Sequence, residues 1–144
     1  MGDGLSPGLD RLLAERKLIK ARTTRAMVSK ELEAAESDLR DARGSLVAGN
    51  AKWATIQGYY SMFHAARALL YDAGYREKSH SALLAAVKHL YARKLRPRLI
   101  DSFRDAMDLR EEADYNLKFS NESARSIVEG AQAFLDAVKE LLNY

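Results

Sequence analysis

Apolar side chains recur at steps of three and four along almost the whole chain, which is the periodicity of amphipathic helices. In the segment 21–50, Val28, Leu32, Ala35, Leu39, Ala42 and Leu46 form one such face, and Gly49 supplies a left-handed stop. In 81–94, Leu83, Leu84, Val87, Leu90 and Tyr91 form another, with Ser79 as the N-cap. Pro97 opens a further helix at its first turn, a position proline tolerates, and Leu99, Phe103, Met107 and Leu109 carry it into "REEADY". The last segment, from 120, repeats the pattern through Ile127, Ala131, Phe134, Leu135, Val138 and Leu142. A shorter helix is expected over about 8–20, and "YREKSH" is expected to be a loop.

The segment 51–74 differs from the others. Trp53, Ile56, Tyr59, Met62, Phe63, Ala66, Leu69 and Leu70 surround nearly its whole circumference. A helix apolar all round is central and buried, or shared with a second chain. Strand-like alternation is absent, and the connections are short, which favours antiparallel neighbours. The expected fold is all-α: an up-and-down antiparallel helical bundle of four to five main helices plus a short N-terminal helix. Residues 1–22 read as an extension carrying that short helix, and 23–144 as the bundle domain.

Composition narrows the chemistry. The chain has 144 residues, 47% of them hydrophobic and 30% charged, a balance that supports one packed core. It has no cysteine, which excludes disulfides, thiolate metal sites and thiol nucleophiles. No apolar run approaches the ~18 residues of a membrane span. The opening residues lack a secretory apolar core, so a cytoplasmic location and no membrane partner are expected. The three histidines, His64, His80 and His89, have no ligand-like spacing, and neither a metal nor a cofactor is expected. Gly-rich phosphate loops are missing.

Net charge is only +3, but it is unevenly spread. Residues 11–30 carry seven bases and one acid, and 88–98 five bases and no acid. Residues 101–122 carry seven acids and three bases. Such asymmetry can steer an anionic partner to one surface, or can simply solvate helix faces.

Two constellations stand out. Within the apolar third helix, Gln57, Tyr60, His64, Arg67 and Tyr71 step by three and four along one side. Arginine is seldom buried unpaired, so this side faces a wet cleft, meets a partner chain, or pairs internally with an acid. Separately, Arg76, Lys78 and His80 lie close in one loop beside a helix N-terminus, where an anion can bind.

The stretch "LREEADYN" places Arg110 and Asp114 on one helix face as an i,i+4 pair. Arg110 and Tyr115 are separated by about 140° around the axis. They converge only where the helix ends or where two protomers juxtapose their copies. The plain reading is an ion pair with a tyrosine packed at a helix end.

"YYSMFHAARALL", "GYREKSH" and "REEADY", followed by the last amphipathic helix, together resemble a HEPN domain (higher eukaryotes and prokaryotes nucleotide-binding). The resemblance covers about residues 27–142 and is closest to the small stand-alone prokaryotic and archaeal members. It implies a homodimer, often encoded beside a minimal nucleotidyltransferase and acting as its partner in a toxin–antitoxin pair. Active members are metal-independent ribonucleases with an arginine, a polar residue and a histidine four to six residues beyond the arginine. On this chain the match implies Arg110 and Tyr115 as catalytic positions. Joined to the loop and the α3 stripe described above, it gives Arg110, Glu111, Asp114, His80, Lys78, Tyr60, His64 and Arg67 as the candidate nucleotide- or RNA-binding set. Tyr115 stands where the motif has histidine. Tyrosine titrates ordinarily near ~10, which makes it a poor general base at neutral pH.

Overall fold

The computed structural model describes residues 7–144; residues 1–6, the start of the expected N-terminal extension, lie outside the described residues. The helices are α1 (Pro7–Ala14), α2 (Arg25–Val47), α3 (Ala51–Ala73), α4 (His80–Leu90), α5 (Pro97–Tyr115) and α6 (Asn121–Leu142), with two short strands, β1 (Leu18–Lys20) and β2 (Tyr75–Glu77). The fold is the expected helical bundle, apart from this two-stranded sheet.

Local chemistry explains the helix starts. Side chains of Thr24, Asn50, Ser79 and Ser120 each accept a hydrogen bond from a backbone N–H of the first turn that follows. Each such cap stabilises by about 1 kcal/mol. Pro97 starts α5 without a side-chain cap. Gly74, at φ +85°, closes α3 in the left-handed conformation.

Helix α3 is the centre, packed against α2, α4, α5, α6 and β2. It runs parallel to α6: Gly58 faces Ile127, and Met62 faces Gly130. A Cβ at Gly58 would stand 2.7 Å from Ile127 Cγ2, so the two backbones approach closely there. Helix α2 runs antiparallel to α6, with Glu36 paired to Lys139 and Arg43 donating to Gln132. Phe103 of α5 meets Phe134 of α6 and Tyr59 of α3, which closes the core. Trp53 departs from the expected buried face of α3: it is 47% exposed at the bundle end.

Three boundaries differ from expectation. The first helix does not reach residue 20. It stops at Ala14, and Arg16, at φ +59°, turns the chain while Lys17 N–H donates to Leu12 O. "YRE" of the expected loop is strand, pairing antiparallel with β1 as Leu18↔Glu77, Ile19↔Arg76 and Lys20↔Tyr75. Helix α4 ends at Leu90 rather than at Lys94. Tyr91 leaves the helix with its hydroxyl donating to Leu69 O (2.9 Å) and Leu95 buried beyond it.

Candidate functional site

Arg110 is on the inward face of α5. It follows Ile100, Phe103 and Met107 at steps of three, four and three, so helix periodicity carries its side chain into the core, where it is 8% exposed. Three tyrosine rings surround the guanidinium, whose carbon lies 5.2 Å from the ring centre of Tyr59 and 5.9 Å from those of Tyr60 and Tyr115. These are cation–π distances. Arg110 and Tyr115 thus converge within one chain: α5 ends at Tyr115, and the long arginine side chain spans the angular gap. Asp114 supplies the anticipated i,i+4 partner, but loosely, at 3.7 Å from Nη1. Arg110 Nε is enclosed and has no hydrogen-bond partner among the described residues.

His80 reaches the same place from the first residue of α4. Its Nδ1 lies 2.5 Å from Tyr59 Oη. Its ring stacks on Phe63 at 4.6 Å and 30°, and on Tyr59 at 5.7 Å and 17°, while Tyr60 meets it edge-on at 6.2 Å. Burial pushes the imidazole below its ordinary pKa, and the charge of Arg110 pushes it further, with Glu77 opposing. Burial pushes the Tyr59 phenol above its ordinary range, outweighing the opposite pull of Arg110. The result is a neutral imidazole beside an intact phenol and a buried cation.

The polar stripe of α3 divides. Tyr60 belongs to the Arg110 cluster. His64 and Arg67 instead pair internally with acids. His64 Nδ1 lies 3.0 Å from Glu31 and Nε2 lies 3.6 Å from Asp38. Arg67 places Nη2 2.6 Å and Nε 3.0 Å from one oxygen of Glu77, with Glu31 at 3.7 Å. Burial pulls the Arg67 guanidinium down, but Glu77 more than compensates and its pKa is raised. Burial raises Asp38, against the pull of His64. Gln57 meets the Ser45 hydroxyl at 2.6 Å, and Tyr71 is buried. His64 and Arg67 therefore fasten α3 to α2 and β2.

The loop cluster also divides. Arg76 and Lys78 side chains are exposed, without ion pair or hydrogen bond among the described residues; only His80 joins Arg110. Glu111 is exposed, and its charge acts on both Tyr59 and His80. Tyr59 is the member that the hydrophobic pattern hides. It sits at an apolar core position, and only the adjacent pair "YY" hints that a phenol is being placed.

A sequence profile of the HEPN domain matches residues 28–141. The chain belongs to the HEPN family. A HEPN-family likeness extends to a protein of Methanocaldococcus jannaschii that carries the name "Putative toxin". It is 32% identical over 95 residues, covering 62% of this chain and 69% of that one. A "UPF0332 protein" of Archaeoglobus fulgidus is 30% identical over 112 residues, covering 76% of this chain and 90% of the relative. Among solved structures, TT1696 from Thermus thermophilus superposes with a TM-score of 0.68 at 20% identity, over 78% of this chain and 96% of that one, and so shares the fold. No helix among the described residues is long and apolar enough to cross a membrane.

Proposed function

We infer that this HEPN protein is the toxin-side subunit of a two-protein module. It forms a homodimer, pairs with a minimal nucleotidyltransferase, and holds a nucleotide or RNA phosphate at Arg110. The observation that carries this reading is Arg110 itself: a cation 8% exposed, collared by three tyrosines, with Asp114 as a loose carboxylate partner at 3.7 Å. A phosphate oxygen would replace the loosely held carboxylate of Asp114, 3.7 Å from Nη1. The name "Putative toxin" on the M. jannaschii relative agrees with the same role. Beside the site, Tyr115 (73% exposed), Leu117 and Phe119 present apolar surface that suits a second chain. Co-expression with a nucleotidyltransferase encoded next to it, followed by size-exclusion chromatography, tests the pairing. A complex is expected, and its absence counts against the reading.

A second reading, a metal-independent ribonuclease, is favoured by the convergence of His80 and Arg110 around Tyr59. His80 would supply the imidazole that position 115 lacks, with Arg110 holding the scissile phosphate. Purified protein and Arg110→Ala are compared on RNA. Cleavage by the native protein alone supports this reading, and equal activity in both, or none in either, sinks it.

A further inference from the structure

The outer face of the small sheet is a cationic surface that the core does not require. Ile19 pairs with Arg76, and the ladder continues past the strands, with Lys78 N–H donating to Lys17 O at 3.0 Å. Directly opposite residues share a face of a sheet, and successive residues alternate between faces. Lys17, Ile19, Arg76 and Lys78 therefore stand on one face, and Leu18 and Glu77 on the other. Burial agrees: Leu18 and Glu77 are buried, Ile19 is half-buried, and Lys17, Arg76 and Lys78 are exposed. The helices packed on the sheet are α1, α3 and α4, and they leave these three cations in solvent.

Little neutralises this face. Glu15 is shared between Arg11 and Lys17, at 3.5 and 3.3 Å. Glu77 points inward and is held by Arg67. The exposed side chains of Arg16, Lys20, Arg76 and Lys78 have no ion pair or hydrogen bond among the described residues. Lys17 opposite Lys78 is a like-charge pair, which weakens a strand pairing. Arg16 stands at φ +59°, in the left-handed region where glycine would be unstrained. Cations are thus kept where pairing and backbone favour other residues. β1 also lies ahead of residues 28–141, the stretch that the HEPN profile matches, so the face exists only because the N-terminal segment adds a strand to β2.

We propose that this sheet face is a docking surface for the phosphate backbone of a nucleic-acid strand, with Arg16, Lys17, Arg76 and Lys78 as its contacts. Side chains two apart on a strand are roughly 6–7 Å from each other, and directly opposite ones about 5 Å, so the cations form a flat grid that meets a regularly charged chain. An acidic protein fits less well. Protein interfaces close over an apolar core and deplete lysine, and Ile19 is the one apolar side chain among the four paired residues of this face. Phosphate contacts need no such core, because counterion release supplies the affinity. A sheet three residues long has no element that enters a groove to reach base edges, so binding is expected to be independent of sequence. The surface stands on its own charges and does not rest on the reading of Arg110.

Fluorescence anisotropy of a short labelled oligouridylate, titrated with the full chain over a range of salt concentrations, tests this. Binding is expected, with log K falling linearly against log salt. Each single-strand phosphate contact contributes about 0.7 to that slope. Arg76→Gln/Lys78→Gln is therefore expected to flatten the slope by about 1.4 and to weaken binding more than about tenfold at ~50 mM salt. Arg16→Gly is expected to flatten it by about 0.7 while the urea midpoint stays or rises, since glycine suits the turn. Arg93→Gln/Arg96→Gln removes the same charge from the exposed α4–α5 connection, and is expected to leave slope and affinity near native. Equal losses in the two double variants would assign the binding to net charge and overturn the proposal. So would native protein that does not bind the oligouridylate. Polyglutamate competing as well as unlabelled oligouridylate at equal charge would also overturn it, in favour of an acidic protein. All of these variants keep Arg110 and His80, so the nucleotidyltransferase pairing and the anion reading of Arg110 stand or fall by their own tests.

Discussion

The Arg67 guanidinium grips a single oxygen of Glu77 with two nitrogens, at 2.6 and 3.0 Å, and leaves the other oxygen, Oε1, enclosed without a partner among the described residues. Glu77 ends β2, directly opposite Leu18 of β1. One ion pair thus ties the central helix to the small sheet and to the start of α4, where His80 enters the site.

Removing one partner strands the other. Glu77 is the more buried of the two, so Arg67→Ala leaves a desolvated carboxylate whose only strong partner is gone. Breaking a buried pair costs about 3–5 kcal/mol, and the partial exposure of Arg67 places this one at the lower end, about 3 kcal/mol. Urea denaturation measures the loss. A cost below about 1 kcal/mol would show that water already satisfies Glu77.

The α3–α6 approach predicts a coupled pair. Gly58→Ala improves helix propensity by about 1 kcal/mol but drives a methyl to 2.7 Å from Ile127 Cγ2. Overpacking costs about 1–3 kcal/mol, so the variant is expected to be less stable than the native protein. In an Ile127→Ala background the clash disappears, and the same substitution is expected to become neutral or stabilising. A double-mutant cycle by urea denaturation reads this coupling directly. Independent, additive effects would mean that the helices separate to accept the methyl.

The pH dependence follows from His80. Its folded-state pKa is lowered by burial and by Arg110, so over a window below the ordinary value of ~6.5 the unfolded chain binds a proton that the folded chain refuses. Stability therefore rises with pH through that window and levels above it; acidification removes it. The difference in urea midpoint between native protein and His80→Asn, followed from pH 5 to 8, isolates this contribution from that of other groups. A difference that does not change with pH would show that His80 titrates alike in both states.

These relationships mark the limit of what the chain discloses before folding. Ser79 as a cap, Pro97 at a helix start and the all-round apolar third helix were legible because each is decided within a few residues. The β1–β2 pairing was not. Each strand is three residues long, too short to show alternation, and the turn before β1 uses Arg16 at positive φ, where glycine would have given a signal. The stripe on α3 left a wet cleft, a partner chain and an internal acid all open for Arg67, and only the fold brings Glu77 to it. Arg110 and His80 are thirty positions apart, and they meet through Tyr59, whose pattern is that of a core residue. The hydroxyl that meets His80 is invisible to periodicity, which records only that the ring is apolar.

Arg110 gives the sharpest separation between stability and function. A guanidinium buried with an enclosed nitrogen unpaired and only a loose carboxylate nearby is a poor contributor to folding. Arg110→Met keeps the stem and its contact with Tyr59 and Tyr60 while removing the desolvated charge. It is expected to leave stability unchanged or to raise it by about 1–2 kcal/mol. Arg110→Lys keeps the charge but loses the planar fork, and it is expected to bind phosphate more weakly without gaining stability. If the arginine is held for an anion, Met gains stability and loses phosphate, a trade that a structural residue does not show. Should Arg110→Met unfold the protein, the collar of tyrosines would be the arginine's purpose, and the site would have to be sought elsewhere.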